Sequence, residues 1–218
     1  MNDDNWELIN GSDAHHIEQL NRTNTINLIE SLLIFLRAER KRHGVAVLPT
    51  ERDLKELHRT GTLYLLKNPG EFRNGAVHLV RGDGSVAYTP PDQADVAAHM
   101  AEFFDELNKL WVSGDALDVA AFALWRLNWV HPFPNGNGRT ARAFCYTCLC
   151  AHLGVVTLPG KITIIDQIMA SRDLYEVCLR DGDKAASDNN RRNLKSMRAY
   201  LDDLLQKQIR SSTANTEI

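Results

Sequence analysis

The sequence predicts a mostly α-helical protein with one small β-hairpin. Three observations carry that reading. Apolar side chains recur at helical spacing along most of the chain. Only one segment places short apolar runs on either side of an Asp-Gly turn. Pro-Gly pairs at Pro69-Gly70 and Pro159-Gly160 break the helical pattern between elements.

Taken in order, the first helix is expected at about residues 13–41. It carries Ile17, Leu20, Ile26, Leu28, Ile29, Leu32, Leu33 and Leu36, a pattern compatible with helix but not confined to one stripe. Asn24 or Thr25 could cap a second segment within it. Pro49-Thr50-Glu51 opens the next helix, with Leu54, Leu57 and Leu63 on its apolar face and Asp53 three residues after Thr50 as a capping partner. Asn68-Pro69-Gly70 is expected to end it. The hairpin follows: Val77, Leu79 and Val80 precede Arg81-Gly82-Asp83-Gly84-Ser85, Val86 and Tyr88 follow, and Pro90-Pro91 closes the second strand. Helices are then expected at about 92–112, 117–130 and 139–152. The last two are dense enough in apolar side chains to be buried on most sides. Two or three further helices finish the chain. The final one, about 193–208, carries Leu194, Met197, Leu201 and Leu205 on one face.

Composition narrows the class. With 218 residues and a net charge of -3, the chain has room for one sizeable core and no global basic field for nucleic acid. Its start is acidic and polar, and no apolar run is long enough to cross a bilayer, so a cytoplasmic location is expected. Cys145, Cys148, Cys150 and Cys178 lack a second Cys pair or enough histidines for a zinc set, so they read as buried thiols in a reducing compartment.

The chemistry concentrates in His131-Pro132-Phe133-Pro134-Asn135-Gly136-Asn137-Gly138-Arg139-Thr140-Ala141-Arg142. His131 ends a buried helix, and an imidazole can accept a proton near neutral pH. Pro132 forces the chain out of the helix. Phe133 is expected to point inward and anchor the loop. Gly136 and Gly138 let backbone N–H groups approach a ligand as an anion nest. The next helix offers the positive end of its dipole there. Arg139 and Arg142, three residues apart, share a helix face and can both fork onto phosphate oxygens. The expected ligand is a nucleoside triphosphate or a similar diphosphate-containing compound.

This string resembles the signature of the Fic family, His-Pro-Phe-x-Asp/Glu-Gly-Asn-Gly-Arg-x-x-Arg. Softer likenesses extend over about residues 50–205: Pro69 to Gly75 resembles the segment leading into the family's hairpin flap, Tyr88-Thr89-Pro90-Pro91 its exit, and Arg172-Asp173-Leu174-Tyr175 with Asp181-Gly182-Asp183 its C-terminal helical region. The resemblance implies a Fic-type helical bundle with a hairpin flap. Its expected divisions are an N-terminal helical region at 1–48, the Fic domain at 49–207 and a polar tail at 208–218. It implies transfer of AMP from ATP to a Ser, Thr or Tyr hydroxyl of a target protein, with release of pyrophosphate. His131 would deprotonate the hydroxyl. Gly136, Asn137 and Gly138 would hold the α- and β-phosphates, and Arg139 and Arg142 the β- and γ-phosphates. The hairpin, through Val77, His78, Leu79, Val86 and Tyr88, would dock the target as an added strand.

One position departs. The family usually carries Asp or Glu where this chain has Asn135, the ligand for a phosphate-bridging Mg2+. An amide oxygen can coordinate Mg2+ more weakly, so retained but metal-sensitive activity is expected. The related Doc group often has Asn there and works as a kinase, but it replaces the second glycine with lysine. Gly138 therefore favours AMP transfer. Phosphoryl transfer, transfer of another nucleotide such as UMP, and a catalytically weak interaction module are the alternatives. Many Fic proteins are silenced by a Ser/Thr-x-x-x-Glu-Gly/Asn helix. No Glu here is followed by Gly or Asn, and Glu18, Glu30 and Glu176 do not complete the pattern. Inhibition is expected from a separate antitoxin-like protein, or not at all.

Other features have plainer readings. Trp125 and Trp129 are expected in the core, His15-His16 on the solvated surface, and Arg40-Lys41-Arg42 at a charged helix end. Arg191-Arg192 reads as a solvated pair, and Tyr88 as a hairpin packing residue at least as readily as a ligand contact.

Overall fold

A computed structural model describes residues 6–187 and 193–213. Eight helices and one two-stranded antiparallel sheet are found among them, in the order α1 (Gly11–His43), α2 (Glu51–Thr62), β1 (Leu79–Val80), β2 (Val86–Tyr88), α3 (Val96–Ser113), α4 (Ala116–Val130), α5 (Asn137–Leu153), α6 (Ile164–Ala170), α7 (Arg172–Ser187) and α8 (Lys195–Thr213). The mostly α reading holds, with its hairpin. Arg191 and Arg192 lie outside the described residues. No described helix is long and apolar enough to cross a membrane.

The start of α2 is capped as the sequence suggests, and two further starts carry the same device. Thr50 and Asp53 close a capping box on α2, and Asp115 with Asp118 and Thr163 with Asp166 do the same for α4 and α6. Some boundaries differ. The first helix is one continuous run of 33 residues. Thr25 caps nothing; its hydroxyl donates to the carbonyl of Asn21 one turn earlier (2.8 Å), so it sits inside the helix without an orphaned group. The second helix stops at Thr62 rather than near Asn68. Tyr64 adopts φ 62, and Leu65 and Lys67 turn to pair with the segment at residues 6–8 through Leu8 N–Leu65 O and Lys67 N–Trp6 O, both 2.9 Å. Leu63 consequently leaves the apolar face and is exposed.

At the centre, α4 and α5 pack against each other; α3, α7 and α8 cover α4, while α1, α2 and α6 cover α5. Val119, Ala120, Ala123, Leu124 and Trp125 are fully buried, so α4 is covered on nearly every side. Trp125 is a core residue whose indole N–H donates to Asp183 (2.9 Å). The first helix belongs to the same core through Ile29, Leu33 and Leu36. The last continues past the expected tail boundary at 208, because Gln208 is buried and accepts from the backbone N–H of Ile164 (2.9 Å). All four cysteines are buried and free, and burial pushes the Cys150 thiol up to about 12. They are inert packing groups at neutral pH.

Candidate functional site

The turn between α4 and α5 is built from outside as much as from its own residues. His131 is the C-cap of α4 and takes φ 50, a left-handed conformation that is strained for a non-glycine. Arg73 holds it there. Its guanidinium donates to the carbonyls of His131 (2.8 Å), Pro91 (2.6 Å) and Gly75 (3.3 Å), and its backbone N–H donates to Pro132 O (2.8 Å). One buried arginine thus satisfies carbonyls left open where α4 ends and ties the base of the hairpin to them. Phe133 points inward as expected, is 1% exposed, and stacks on His58 of α2 with ring centroids 3.8 Å apart. His58 in turn positions residue 135. Its Nδ1 accepts from Gly70 N (2.8 Å), so its Nε2–H donates to the carbonyl of Asn135 (2.9 Å). That pairing suits a neutral ring, and burial lowers the His58 pKa to about 4.

The turn's own side chains complete the shape. Asn137 Oδ1 accepts from Phe133 N (2.8 Å) and its Nδ2 donates to Phe133 O (2.7 Å). The Asn137 side-chain amide thus closes the loop, and its backbone N–H stands at the first turn of α5. Gly136 has φ 78, and a Cβ there would stand 2.7 Å from Thr62 Cγ2, so glycine is needed both for conformation and for closeness to α2. A Cβ on Gly138 would meet Arg142 Nη1 at 3.2 Å; the guanidinium therefore lies back over the start of α5.

The electrostatics favour an anion. Arg142 is largely buried, its Nε has no hydrogen-bond partner, and desolvation pulls its pKa down. No carboxylate pairs with it among the described residues. The backbone N–H groups at the first turn of α5 point the same way. Arg139, by contrast, is engaged: Glu18 of α1 accepts from its Nη1 at 2.7 Å. The sequence pattern gave no sign of this pair, since Glu18 sits in no recognisable motif. Both arginines line a cavity of about 540 Å³ between α1, α5 and α6, whose remaining wall is largely apolar, including Ile29, Tyr146, Leu158 and Met169. His131 and the two glycines do not line it.

His131 Nδ1 lies 3.3 Å from the carbonyl of Asn128 and can only donate to it, which leaves Nε2 as the proton acceptor. Burial lowers its pKa to about 4, with Arg73 adding to the shift against the Asn128 contact, so the ring is neutral at pH 7. Asn135 Oδ1 accepts from Gly136 N (2.6 Å) and its Nδ2 donates to Glu7 (3.2 Å). No group of three or more His, Cys, Asp or Glu side chains is arranged for a metal among the described residues.

On the hairpin, Leu79 pairs with Tyr88 and Val80 with Val86. Val77 and His78 precede the paired residues, so the expected strand is shorter by two at its start. Tyr88 turns inward and donates to Trp129 O (2.7 Å), which makes it a packing residue. Val80 and Val86 are exposed. Sequence reasoning missed the roles of His58, Arg73 and Glu7. His58 was the most accessible of them, since it continues the buried Leu54 stripe one turn on.

The turn joining the buried helix pair thus gathers a helix N-terminus, two glycines and two arginines, with a neutral imidazole at the other end, the kinds of group that suit an anion. Residues 48–149 match the sequence profile of the Fic/DOC family. Among curated proteins, one named protein adenylyltransferase Fic in Drosophila willistoni is 36% identical over 103 residues, which is 46% of this chain and 19% of that protein. Another, named ribonucleoside-diphosphate reductase small chain in Ostreid herpesvirus 1, is 32% identical over 117 residues, 49% of this chain and 19% of that protein. The chain thus spans 19% of the length of each of these relatives. A solved Fic domain containing signaling protein from Bacteroides thetaiotaomicron has the same fold, with a TM-score of 0.67 and 22% identity over 94% of this chain and 72% of that one.

Proposed function

We propose that this protein transfers AMP from ATP to a hydroxyl of a target protein. The observation that carries the reading is Arg142: a half-buried guanidinium whose Nε is sealed from solvent without a hydrogen-bond partner, with no carboxylate paired to it among the described residues, laid over Gly138 at the start of α5. A buried cation is costly unless something negative pairs with it. A triphosphate spanning the turn supplies that charge, and the first-turn N–H groups with Arg142, and Arg139 once released from Glu18, hold it. His131 Nε2 takes the proton of a Ser, Thr or Tyr hydroxyl. The oxygen bonds to the α-phosphorus, the bond from that phosphorus to the bridging oxygen breaks, and pyrophosphate leaves with the electron pair. This is catalysis by positioning and charge stabilisation. The exposed Val80 and Val86 on a two-stranded sheet suit docking of an extended target segment. The names of the curated relatives differ, so the activity rests on this geometry rather than on their names.

The donors beside the turn fit Mg2+ in a modest way. Asn135 offers one neutral oxygen, so most ligands would come from phosphates and water, as is common for this ion. When bound, Mg2+ neutralises phosphate charge. A separate antitoxin-like inhibitor remains part of the proposal.

The test is incubation of the chain and a cell extract with α-labelled or γ-labelled ATP, with His131→Ala as control. Protein label from the α-position, lost in the variant, is the expected result. Label from the γ-position alone would mean phosphoryl transfer, and no label with no nucleotide binding would reduce the chain to an interaction module.

A further inference from the structure

A hollow beside the turn has no part in the chemistry derived so far. The cavity of about 540 Å³ runs between α1, α5 and the segment at residues 156–169, and neither His131 nor the turn glycines line it. Its volume falls within the usual range for small-molecule sites, about 300–1,000 Å³. Most of the wall is aliphatic, with Ile29, Ala143, Val156 and Leu158. Two further wall residues, Ile26 and Met169, are 55% and 41% exposed, so apolar surface is left open to water there. One end is charged. Arg139 and Arg142 share a face of α5 near its start, and both line the hollow.

The charges along it are unevenly matched. Glu18 is taken by Arg139 at 2.7 Å, and Asp166 by Arg22 at 2.5 Å. Glu30, the remaining acid of the lining, is exposed and stands about 18 Å beyond Glu18 along α1. Arg142 has no carboxylate paired to it among the described residues, and its Nε has no hydrogen-bond partner. Burial pulls its pKa down, and the charges of Arg172 and Arg139 push the same way. We propose that this cavity binds a single-chain alkyl carboxylate, with its head group on Arg142 and its chain along Ile26, Ile29, Leu158 and Met169. A guanidinium and a carboxylate match in a two-bond fork. The aliphatic wall favours methylenes over a sugar or a base, whose polar groups would lose their water without replacement. A triphosphate held at the turn draws on the same guanidinium, so an occupied cavity excludes it. Only that exclusion rests on the function proposed above; binding of the carboxylate does not.

The test is calorimetric titration of the full chain, stripped of co-purified lipid, with hexanoate, octanoate, decanoate and decanol. Affinity should rise about three- to fourfold for each added methylene, the scale of one CH2 taken out of water. Decanol should bind about tenfold or more weakly than decanoate, the scale of a lost hydrogen bond to a charged group. Ile26→Asp, a change at an exposed position, should weaken decanoate about tenfold or more by setting a charge against the chain, while melting temperature and ATP affinity stay level. Saturating decanoate should raise the apparent Kd for ATP. Absence of decanoate binding, an affinity independent of chain length, equal binding of decanol, or an unaffected Ile26→Asp overturns the proposal. Independent binding of ATP and decanoate overturns it too, since the head group would then lie away from Arg142. If wild type binds no ATP, the proposed function falls, and the decanoate titrations still decide about the cavity.

Discussion

His131 stays neutral to lower pH than it would in water, and Arg142 lacks a partner that water would supply to its Nε. His131 is neutral because burial opposes its charge, so a general base is ready well below the usual histidine range. The acid limb of the kcat/KM profile for AMP transfer should therefore fall near pH 4 rather than near 6.5, which a pH-rate series will show. A limb at 6.5 would mean that His131 is solvated during turnover. Arg142 keeps its charge with its Nε unbonded. Replacing it with Met should lower ATP affinity about tenfold or more, the scale of lost hydrogen bonds to a charged group. Thermal stability should stay level or rise, because a costly buried cation is gone. Calorimetric titration and a melting curve on the same variant check both halves. A variant that binds ATP normally would remove the observation on which the proposed function stands.

At the scale of elements, α2 is the platform of the turn. It presents His58, and through it Phe133 and Asn135 are stacked and bonded in place. His58 is 0% exposed with its pKa lowered to about 4, so the unfolded chain binds a proton there more readily than the folded one between pH 6.5 and 4. Its contribution is whole above pH 6.5 and is lost as pH falls through that window, by roughly 3 kcal/mol at the bottom of it. Melting temperature should thus drop on acidification in wild type. In His58→Asn the slope should be shallower, even though the variant starts lower at pH 7. Parallel curves would assign the acid sensitivity to other groups. The hairpin is coupled to the same turn by Arg73, which bonds carbonyls from both. A target strand added at the hairpin would pull on the backbone that sets His131.

For the whole molecule, α1 decides where the domain starts. The expected division places residues 1–48 outside the Fic domain, yet Ile29, Leu33 and Leu36 are buried in its core and Glu18 reaches Arg139. Three buried side chains contribute about 5–9 kcal/mol at ~1.5–3 each, comparable to the whole stability of an ordinary domain. A fragment of residues 49–213 should therefore fail to show a cooperative melt by circular dichroism. A native-like transition in that fragment would restore the division.

The turn chemistry was readable because its parts are consecutive: His131, the glycines and both arginines fall within twelve residues, and helical spacing alone puts Arg139 and Arg142 on one face. Helix order, the Thr50–Asp53 capping box and the Asp-Gly hairpin were likewise local matters of propensity and hydrogen bonding between near neighbours. What the chain could not reveal locally are the contacts that set the turn's charge and shape. Glu18 meets Arg139 from 121 residues away, His58 meets Asn135 from 77, and Arg73 meets His131 from 58. Such pairs depend on which helices pack together, and packing is driven by apolar burial that does not record which polar groups it brings face to face. So the sequence by itself determined which groups the turn brings together, the groups on which the proposed ligand rests. The tertiary structure decided which carboxylates stand beside it, and which of its side chains are already spoken for.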